Sequence, residues 1–495
     1  MERAAALRLF ELIRDDRQAQ DGKDVLITGL TADSRQVAPG YLFAALDGSR
    51  ARGADFIPEA LKNGAAAILA PPGTELGTDA PPHTILMTDE APRRRFAELA
   101  ARFFSRQPET IAAVTGTNGK TSTATFLREL WRGTGDKAAS LGSLGVEGDG
   151  PTSAAALTTP GPVTLHRALA ALAEAGVENC VLEASSHGLD QYRLDGIKVS
   201  AAAFLNLTRD HLDYHGDEAT YLAAKARLFT EVMAPGGTAV LNTEAPQAAH
   251  LEDLCRARGH RILSFAGADS DIRLHARQDE DFGQRIALEL LGKRYDLFIP
   301  LPGAFQVRNM MAAAGLAIAT GMEEDAVAAG LPKLAGVRGR LELAAHVPDG
   351  APIFIDYAHT PDALAAALAG LRPCAAGRLI VLFGCGGDRD AGKRPQMGEI
   401  AADLADLVFV SDDNPRNEDP ASIRREIMAA CPEAIEIAGR GEAIAAAVAE
   451  LRDDDVLLIA GKGHEQGQIV AERTIPFDDG EVARRAAIAR ARCQP

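Results

Sequence analysis

Seven consecutive residues, Gly116-Thr117-Asn118-Gly119-Lys120-Thr121-Ser122, combine two glycines, a lysine and three hydroxyls. They follow the apolar run IAAVT and precede the helical run STATFLREL, which places them between a strand and a helix start. Backbone N–H groups in such a turn, with the positive end of the helix, can surround a polyphosphate. Lys120 supplies a mobile cation and Thr121 a hydroxyl for Mg2+. The strict phosphate loop has a glycine five positions before Gly119, where Val114 stands, so the pattern is the shorter G-T-N-G-K-T form. No Asn-Lys dipeptide occurs, so the Asn-Lys-x-Asp element associated with guanine selection is missing and ATP is the expected nucleotide.

Three further groups bear on phosphate chemistry. Glu183 closes the run CVLE and His211 follows AAAFLNLTRD, each just past a strand-like segment. Mg2+ takes few carboxylates when phosphate oxygens complete its shell, so both suit a metal or a phosphate neighbour. Lys225, in YLAAKARLF, reads from its spacing as a solvated helix lysine. The segment LVFVSDDNPRNEDP passes from four apolar residues into charge, and Asp413-Asn414-Pro415-Arg416 reads by itself as the turn ending a buried strand.

The elements that must position these groups alternate. From Ile111, the runs IAAVTG, CVLEASS, AAAFLNLT and TAVLN are separated by Ala-rich helical stretches, and a second such series begins near residue 340 with IFIDYAH, RLIVLFGCGGDRD, LVFVSDDNPR and VLLIAGKGHE. This is the pattern of parallel sheets with crossover helices, whose ligands gather beyond the carboxyl ends of the strands. The expected fold is α/β in three domains, 1–105, 106–338 and 339–495, with the apolar helix LPGAFQVRNMMAAAGLAIAT before the second boundary. The net charge of −17 argues against nucleic acid and anionic lipid as partners, and a polyanionic substrate would need local cations. Six scattered cysteines without a C-x-x-C pair fit reduced thiols and a cytoplasmic setting. The charged start MERAAALRLFELIRDD lacks a signal-peptide core, and no run is long enough for a membrane span, so a mature, soluble chain is expected.

Taken in order, GTNGKT, LEASSHGLDQYR, TRDHLDYHG, YLAAKARLF, GAFQVRNMMAA, GVRGRLE, DYAHTPD, FGCGGDRDAGKRPQM, DNPR and GKGHE resemble the Mur ligases along almost the whole chain. The resemblance implies an N-terminal UDP-binding domain, a central ATPase domain and a C-terminal Rossmann-like domain. It implies an amide ligase that uses ATP to phosphorylate the D-glutamyl carboxylate of UDP-N-acetylmuramoyl-L-alanyl-D-glutamate, then lets an amine attack the acyl phosphate in peptidoglycan precursor synthesis. By similarity, Thr121 and Glu183 help to hold Mg2+, His211 lies beside metal and acyl phosphate, and Lys225 is carbamylated and becomes a metal ligand. Asn309, Arg340, Asp356 and His359 resemble the nucleotide contacts. Ala32, Ser34, Ser49, Arg50 and Ala51 fall on the UDP-sugar side, and Thr158, Thr159, Ser185, Gln191 and Arg193 on the muramoyl peptide. Leu157 stands where some relatives have Asn.

The amino acid added differs among such enzymes, chiefly meso-diaminopimelate or L-lysine, which differ by a carboxylate on the distal carbon. A planar guanidinium reads that carboxylate through two parallel hydrogen bonds. Arg416 and Arg389 are the candidates; Asp413 and Glu465 can receive the distal ammonium, while Asn414 and the Gly461 backbone orient it and Pro415 shapes the turn. DNPR resembles the diaminopimelate-adding form. An L-lysine-adding ligase, a folylpolyglutamate synthetase and a nucleotide-dependent switch are the competing readings, and a monomer acting on small molecules is expected.

Overall fold

The computed structural model describes residues 6–13, 24–48, 51–154, 157–348 and 350–493. Three sheets organise the chain, and since alternate residues of a strand point to opposite sides, their parallel strands feed a core on each face. In the first, four parallel strands run in the order Gly29–Thr31, Tyr41–Ala44, Ala67–Ala70, Ile85–Thr88. Leu42 and Ala44 join one core and Phe43 and Ala45 the other. The run APRRRFAELAARFF forms the helix Pro92–Phe103, and the helical start of the chain is represented by the short helix Leu9–Ile13.

The central sheet has ten strands. Thr110–Thr115 lies at its middle, parallel to Asn179–Glu183 on one side and Val199–Phe204 on the other. Ala112 and Val114 pack with Met310 and Met311 of the helix Ala304–Ala319, while Ile111 and Ala113 pack with Leu165 and Leu169 of the helix Pro162–Glu174. A strand buried on both faces reads as a continuous apolar run, which IAAV is. The sequence pattern did not reveal that this sheet ends in an antiparallel meander, Ile272–Glu280, Gly283–Leu290 and Lys293–Ile299. Those strands are half solvated and carry charge, so they lack the apolar signature of the parallel set; the positive φ of Asp281, Leu291 and Gly292 marks their tight turns.

The third sheet runs Glu342–His346, Pro352–Asp356, Val456–Ala460, Leu379–Phe383, Leu407–Val410, Ile435–Glu436, parallel after its first strand. The chain crosses from Pro352–Asp356 over Val456–Ala460 to reach Leu379–Phe383, and Val456–Ala460 returns last into the gap. The loops after residues 356, 383, 410 and 460 therefore leave four neighbouring strand ends on one edge, the usual position of a ligand crevice. Among the described residues no helix is long and apolar enough to cross a membrane.

Candidate active site

The phosphate loop forms as its spacing requires. Gly116 and Gly119 have φ of 155° and 90°, and a Cβ on Gly119 would lie 2.2 Å from Asn309 Oδ1, so both conformation and space demand glycine there. The helix Lys120–Gly133 starts directly after it. Asn206, at the end of Val199–Phe204, braces the loop: its Oδ1 accepts Thr117 N at 3.1 Å and Asn118 N at 2.9 Å. Those two amides are thus occupied, and the orphan amides of the helix start remain as the anion donors. Lys120 folds back, with Nζ donating to the carbonyls of Gly116 at 2.9 Å and Thr117 at 2.8 Å.

Lys225 lies in the same place. It is 1% exposed, and its Nζ donates to the Gly116 carbonyl at 2.9 Å, the oxygen that Lys120 also uses. Burial, reinforced by Lys120, pushes its pKa well below the usual lysine range. Burial lowers Lys120 as well, with Glu183 partly opposing. Glu183 is buried and fully engaged: Oε2 accepts from Thr121 Oγ1 at 3.0 Å, and Oε1 accepts Ser143 N at 2.8 Å. Arg340 reaches across from the C-terminal part to donate through Nη2 to Thr121 Oγ1 at 3.2 Å. His211 takes a left-handed φ of 54°, its Nε2 lies 3.4 Å from Asp210 Oδ2, and burial lowers its pKa.

Two cavities flank this centre. One of about 140 Å3 is lined by Asn118, Gly119, Ser122, Asn309, Arg340 and Asp356, which brings the expected nucleotide residues together. Asp356 is buried, accepts Leu341 N at 2.7 Å, and has its pKa raised to about 6 by burial. His359, expected among the nucleotide contacts, lies in the loop after the strand end at Asp356 and lines the second cavity. Tyr357 borders both, with the Arg340 guanidinium 4.6 Å from its ring centre.

The second cavity, about 310 Å3, has Asp210 and His211 on one wall and Arg389, Asp413, Asn414, Arg416, Gly461 and Glu465 on the other. Asp413-Asn414-Pro415-Arg416, expected as a turn, is an extended loop that bends at Asp413 and bridges from Arg416 to Val470 of the hairpin Gly467–Val470/Arg473–Pro476; the turn bond comes after it, from Glu418 N to Pro415 O at 3.1 Å. Arg416 N donates to Ile469 O at 3.1 Å, and its carbonyl accepts Ala471 N at 2.7 Å. Arg416 has a left-handed φ of 51°, and Nη1 donates to Gly387 O at 2.8 Å. Pro415 is buried and lies outside the cavity lining. Arg389 is exposed and bonds the Asp388 carbonyl at 3.3 Å.

Residues expected on the muramoyl peptide form a hydrogen-bonded group joined to Glu183 through Thr159 and Ser143. Arg193 donates to Thr159 O at 2.6 Å and to Gln191 Oε1 at 2.7 Å. Thr159 Oγ1 donates to Glu183 O and accepts from both Ser185 N and Ser185 Oγ, so its hydroxyl is spent on the protein; Ser185 caps the helix Ser186–Asp190. Thr158 contacts Ser143 Oγ at 3.0 Å. In the first sheet Ser34 is buried and its hydroxyl bonds Glu59, while Ala32 and Ala51 are exposed. Ser49 and Arg50 lie outside the described residues. Asn206, Ser143, Tyr357 and Lys462 were missed by the sequence reading, although each is a polar residue one or two positions past a strand end, the signal that could have found them.

Family models match in three consecutive pieces: Mur ligase family, catalytic domain over 26–104; Mur ligase middle domain over 114–317; and Mur ligase, glutamate ligase domain over 339–463. The UDP-N-acetylmuramoyl-L-alanyl-D-glutamate--2,6-diaminopimelate ligase of Bradyrhizobium diazoefficiens is 49% identical over 98% of this chain and 100% of its own length, and its namesake from Zymomonas mobilis is 48% identical over 94% and 96%. A solved structure of a ligase of that name superposes with a TM-score of 0.68 at 34% identity, covering 94% of this chain and 95% of the other. A Mycobacterium tuberculosis folylpolyglutamate synthase shares the fold at 21% identity and a TM-score of 0.60, covering 79% and 92%. With three family models matched in order and near-half identity from end to end, the chain belongs to the Mur ligase family.

Proposed function

We propose that this chain is an ATP-dependent ligase that joins meso-2,6-diaminopimelate to the D-glutamyl carboxylate of UDP-N-acetylmuramoyl-L-alanyl-D-glutamate. The observation that carries the reading is the second cavity: one wall belongs to the phosphate-loop side, and the other bears two carboxylates and an arginine suited to a distal ammonium and carboxylate. The near-half identity to ligases of that name supports it throughout. In this reading residues 1–105 hold the UDP end, 106–338 the ATP, and 339–495 the incoming amino acid. Both cavities are walled by one chain, which supports action as a monomer, and the nucleotide substrates support a cytoplasmic location.

The γ-phosphoryl group passes to the D-glutamyl carboxylate, ADP leaves, and the diaminopimelate amine attacks the acyl carbon and expels phosphate. Both partners of the first step are anions, so the enzyme supplies cations at fixed positions. Lys120 exchanges its loop carbonyls for phosphate oxygens, and Arg340 is held between Thr121 and the Tyr357 ring to meet the same charge. Asn309 and Asp356 line the space for base and ribose. Thr121 and Glu183, already in contact beside the loop, fit a hard divalent cation that takes the rest of its shell from phosphate. Mg2+ held there would neutralise charge on the transferring group. Lys225 suits carbamylation because burial pushes its amine well below the usual lysine range, toward the unprotonated form that reacts: that nitrogen adds to CO2, releases one proton and becomes an oxygen-bearing anion. His211, whose pKa burial lowers while Asp210 opposes, stands on the cavity wall where the acyl phosphate would form.

The test is ligation with the UDP-muramoyl dipeptide, ATP and either meso-diaminopimelate or L-lysine, followed by ADP release and product mass. Turnover with diaminopimelate is expected to exceed that with lysine by at least a hundredfold; equal or better use of lysine would overturn the reading.

A further inference from the structure

We propose that Lys462 determines amino-acid specificity by setting the net charge of the floor of the second cavity. The inference rests on the reading that this cavity takes a diamino acid. Lys462 follows the strand Val456–Ala460 and is wholly buried. Its Nζ donates to Asn414 Oδ1 and to Glu465 Oε2, each at 3.0 Å. Asn414 Nδ2 donates to that same Oε2 at 2.8 Å, so Oε1 is the Glu465 oxygen left for a ligand. Asn414 Oδ1 also accepts Ile469 N at 2.9 Å. Two donors on one oxygen fix the amide, which cannot flip without facing Lys462 with its own N–H groups.

The charges follow from this arrangement. The floor, the end of the cavity around Asn414, has two carboxylates, Asp413 and Glu465, and two cations, Arg416 in the lining and Lys462 behind it, which balance one another; Arg209, Asp210, Asp213, Asp362 and Lys393 line the remainder. The buried pair next to it, Arg440 and Asp479 at 2.7 Å, is neutral by itself. Arg389 and Asp390 on the rim are exposed and of opposite sign. The distal carbon of diaminopimelate carries a carboxylate and an ammonium, also neutral together, whereas L-lysine ends in an ammonium alone. A neutral floor therefore accepts the first and leaves Arg416 unpaired against the second. Without the Lys462 charge the floor carries a net −1, the complement of lysine's cationic end.

Wild-type protein is first assayed with both amino acids; failure to prefer diaminopimelate there would defeat the functional reading and not this inference alone. In Lys462→Met the ratio of kcat/KM for diaminopimelate over lysine is expected to fall at least tenfold, with KM for ATP within twofold of wild type. Equal losses for both amino acids, with the ratio unchanged, would mean that Lys462 only packs the loop, and would overturn the proposal. Glu465→Gln, at a side chain 32% exposed where no core hole is left, shifts the charge the other way and is expected to raise the ratio. An unchanged or lower ratio in that variant would overturn the proposal too, even if Lys462→Met does not fold.

Discussion

Substitution of Arg416 by lysine keeps the charge and removes the planar fork. Arg416 is half-buried and fixed by three contacts: its backbone amide and carbonyl pair with Ile469 and Ala471, and its guanidinium Nη1 bonds Gly387 O at 2.8 Å. Nη1 is thereby anchored, leaving Nε and Nη2 as the edge that meets a carboxylate. A hydrogen bond to a charged group contributes roughly 1.5–3 kcal/mol. Lysine keeps one such contact and loses the second, so Arg416→Lys should cost about 1.5–3 kcal/mol in diaminopimelate recognition, roughly ten- to 150-fold in kcat/KM. Burial, aided by Arg389, already works against a positive charge at this position, and arginine holds its proton where lysine can lose it, which favours the upper part of that range. Arg416 does not line the nucleotide cavity, so KM for ATP should stay within twofold. Steady-state ADP release, with each substrate varied in turn, separates the two constants. If both KM values rise together, Arg416 serves the fold or the nucleotide and the carboxylate argument fails.

Lys225→Ala should lose nearly all ligation and recover part of it with added short carboxylates such as formate or acetate; intact activity without them would refute the carbamate. Asp356, with its pKa raised to about 6, should accept a ribose hydroxyl fully only above that pH, so kcat/KM for ATP should fall below pH 6 in the wild type, and Asp356→Asn should remove that limb. His166 is buried against Asp195 O, and burial lowers its pKa to about 4. An unfolded pKa near 6.5 lies above the folded one, so its contribution is complete above 6.5 and is lost as pH falls toward 4; urea unfolding should show on the order of 3 kcal/mol lost over that window, less in His166→Gln. Removal of the loop brace in Asn206→Ala should raise KM for ATP about tenfold, because Thr117 N and Asn118 N lose a shared acceptor, and the KM for diaminopimelate should stay unchanged.

The parallel strands and their polar ends were legible because a strand buried on both faces writes itself as an unbroken apolar run, and the polar residues after such a run must form a loop at the carboxyl edge. IAAV, CVLE, LVFV and VLLIA all behave this way. The meander at 272–299 was not legible, since half-solvated strands carry charges that resemble loop composition. Lys225 was the harder case. Its helix, Glu218–Arg227, buries Tyr221, Ala224 and Lys225 together, yet an amphipathic pattern containing a lysine gives no sign that the lysine lies on the inner face. Lys462 failed for the same reason: a loop lysine reads as solvated, and only the carboxylate and amide that surround it explain its burial. Beyond Asp356 the chain has left the strand, so no alternation in the sequence tells which of the two cavities a residue meets, and His359 lines the second.

The acidic balance of the chain and the anionic chemistry of the proposed reaction are reconciled by where the cations sit. A surface field of net −17 is screened within about a Debye length, roughly 8 Å in physiological salt. Lys120 and Lys462 instead lie in low-dielectric surroundings, where each charge acts over short range with little screening, and Lys225 is buried beside Lys120. Burial disfavours an ammonium at all three, and each meets that cost differently: Lys120 by carbonyls it can trade for phosphate, Lys225 by a pKa pushed well below the usual lysine range, and Lys462 by a permanent carboxylate partner. The first is mobile, the second is open to modification and the third is fixed. Lys120 therefore answers to ATP, Lys225 to CO2, and Lys462 to the amino acid, and substitutions at the three should perturb three different substrate dependences.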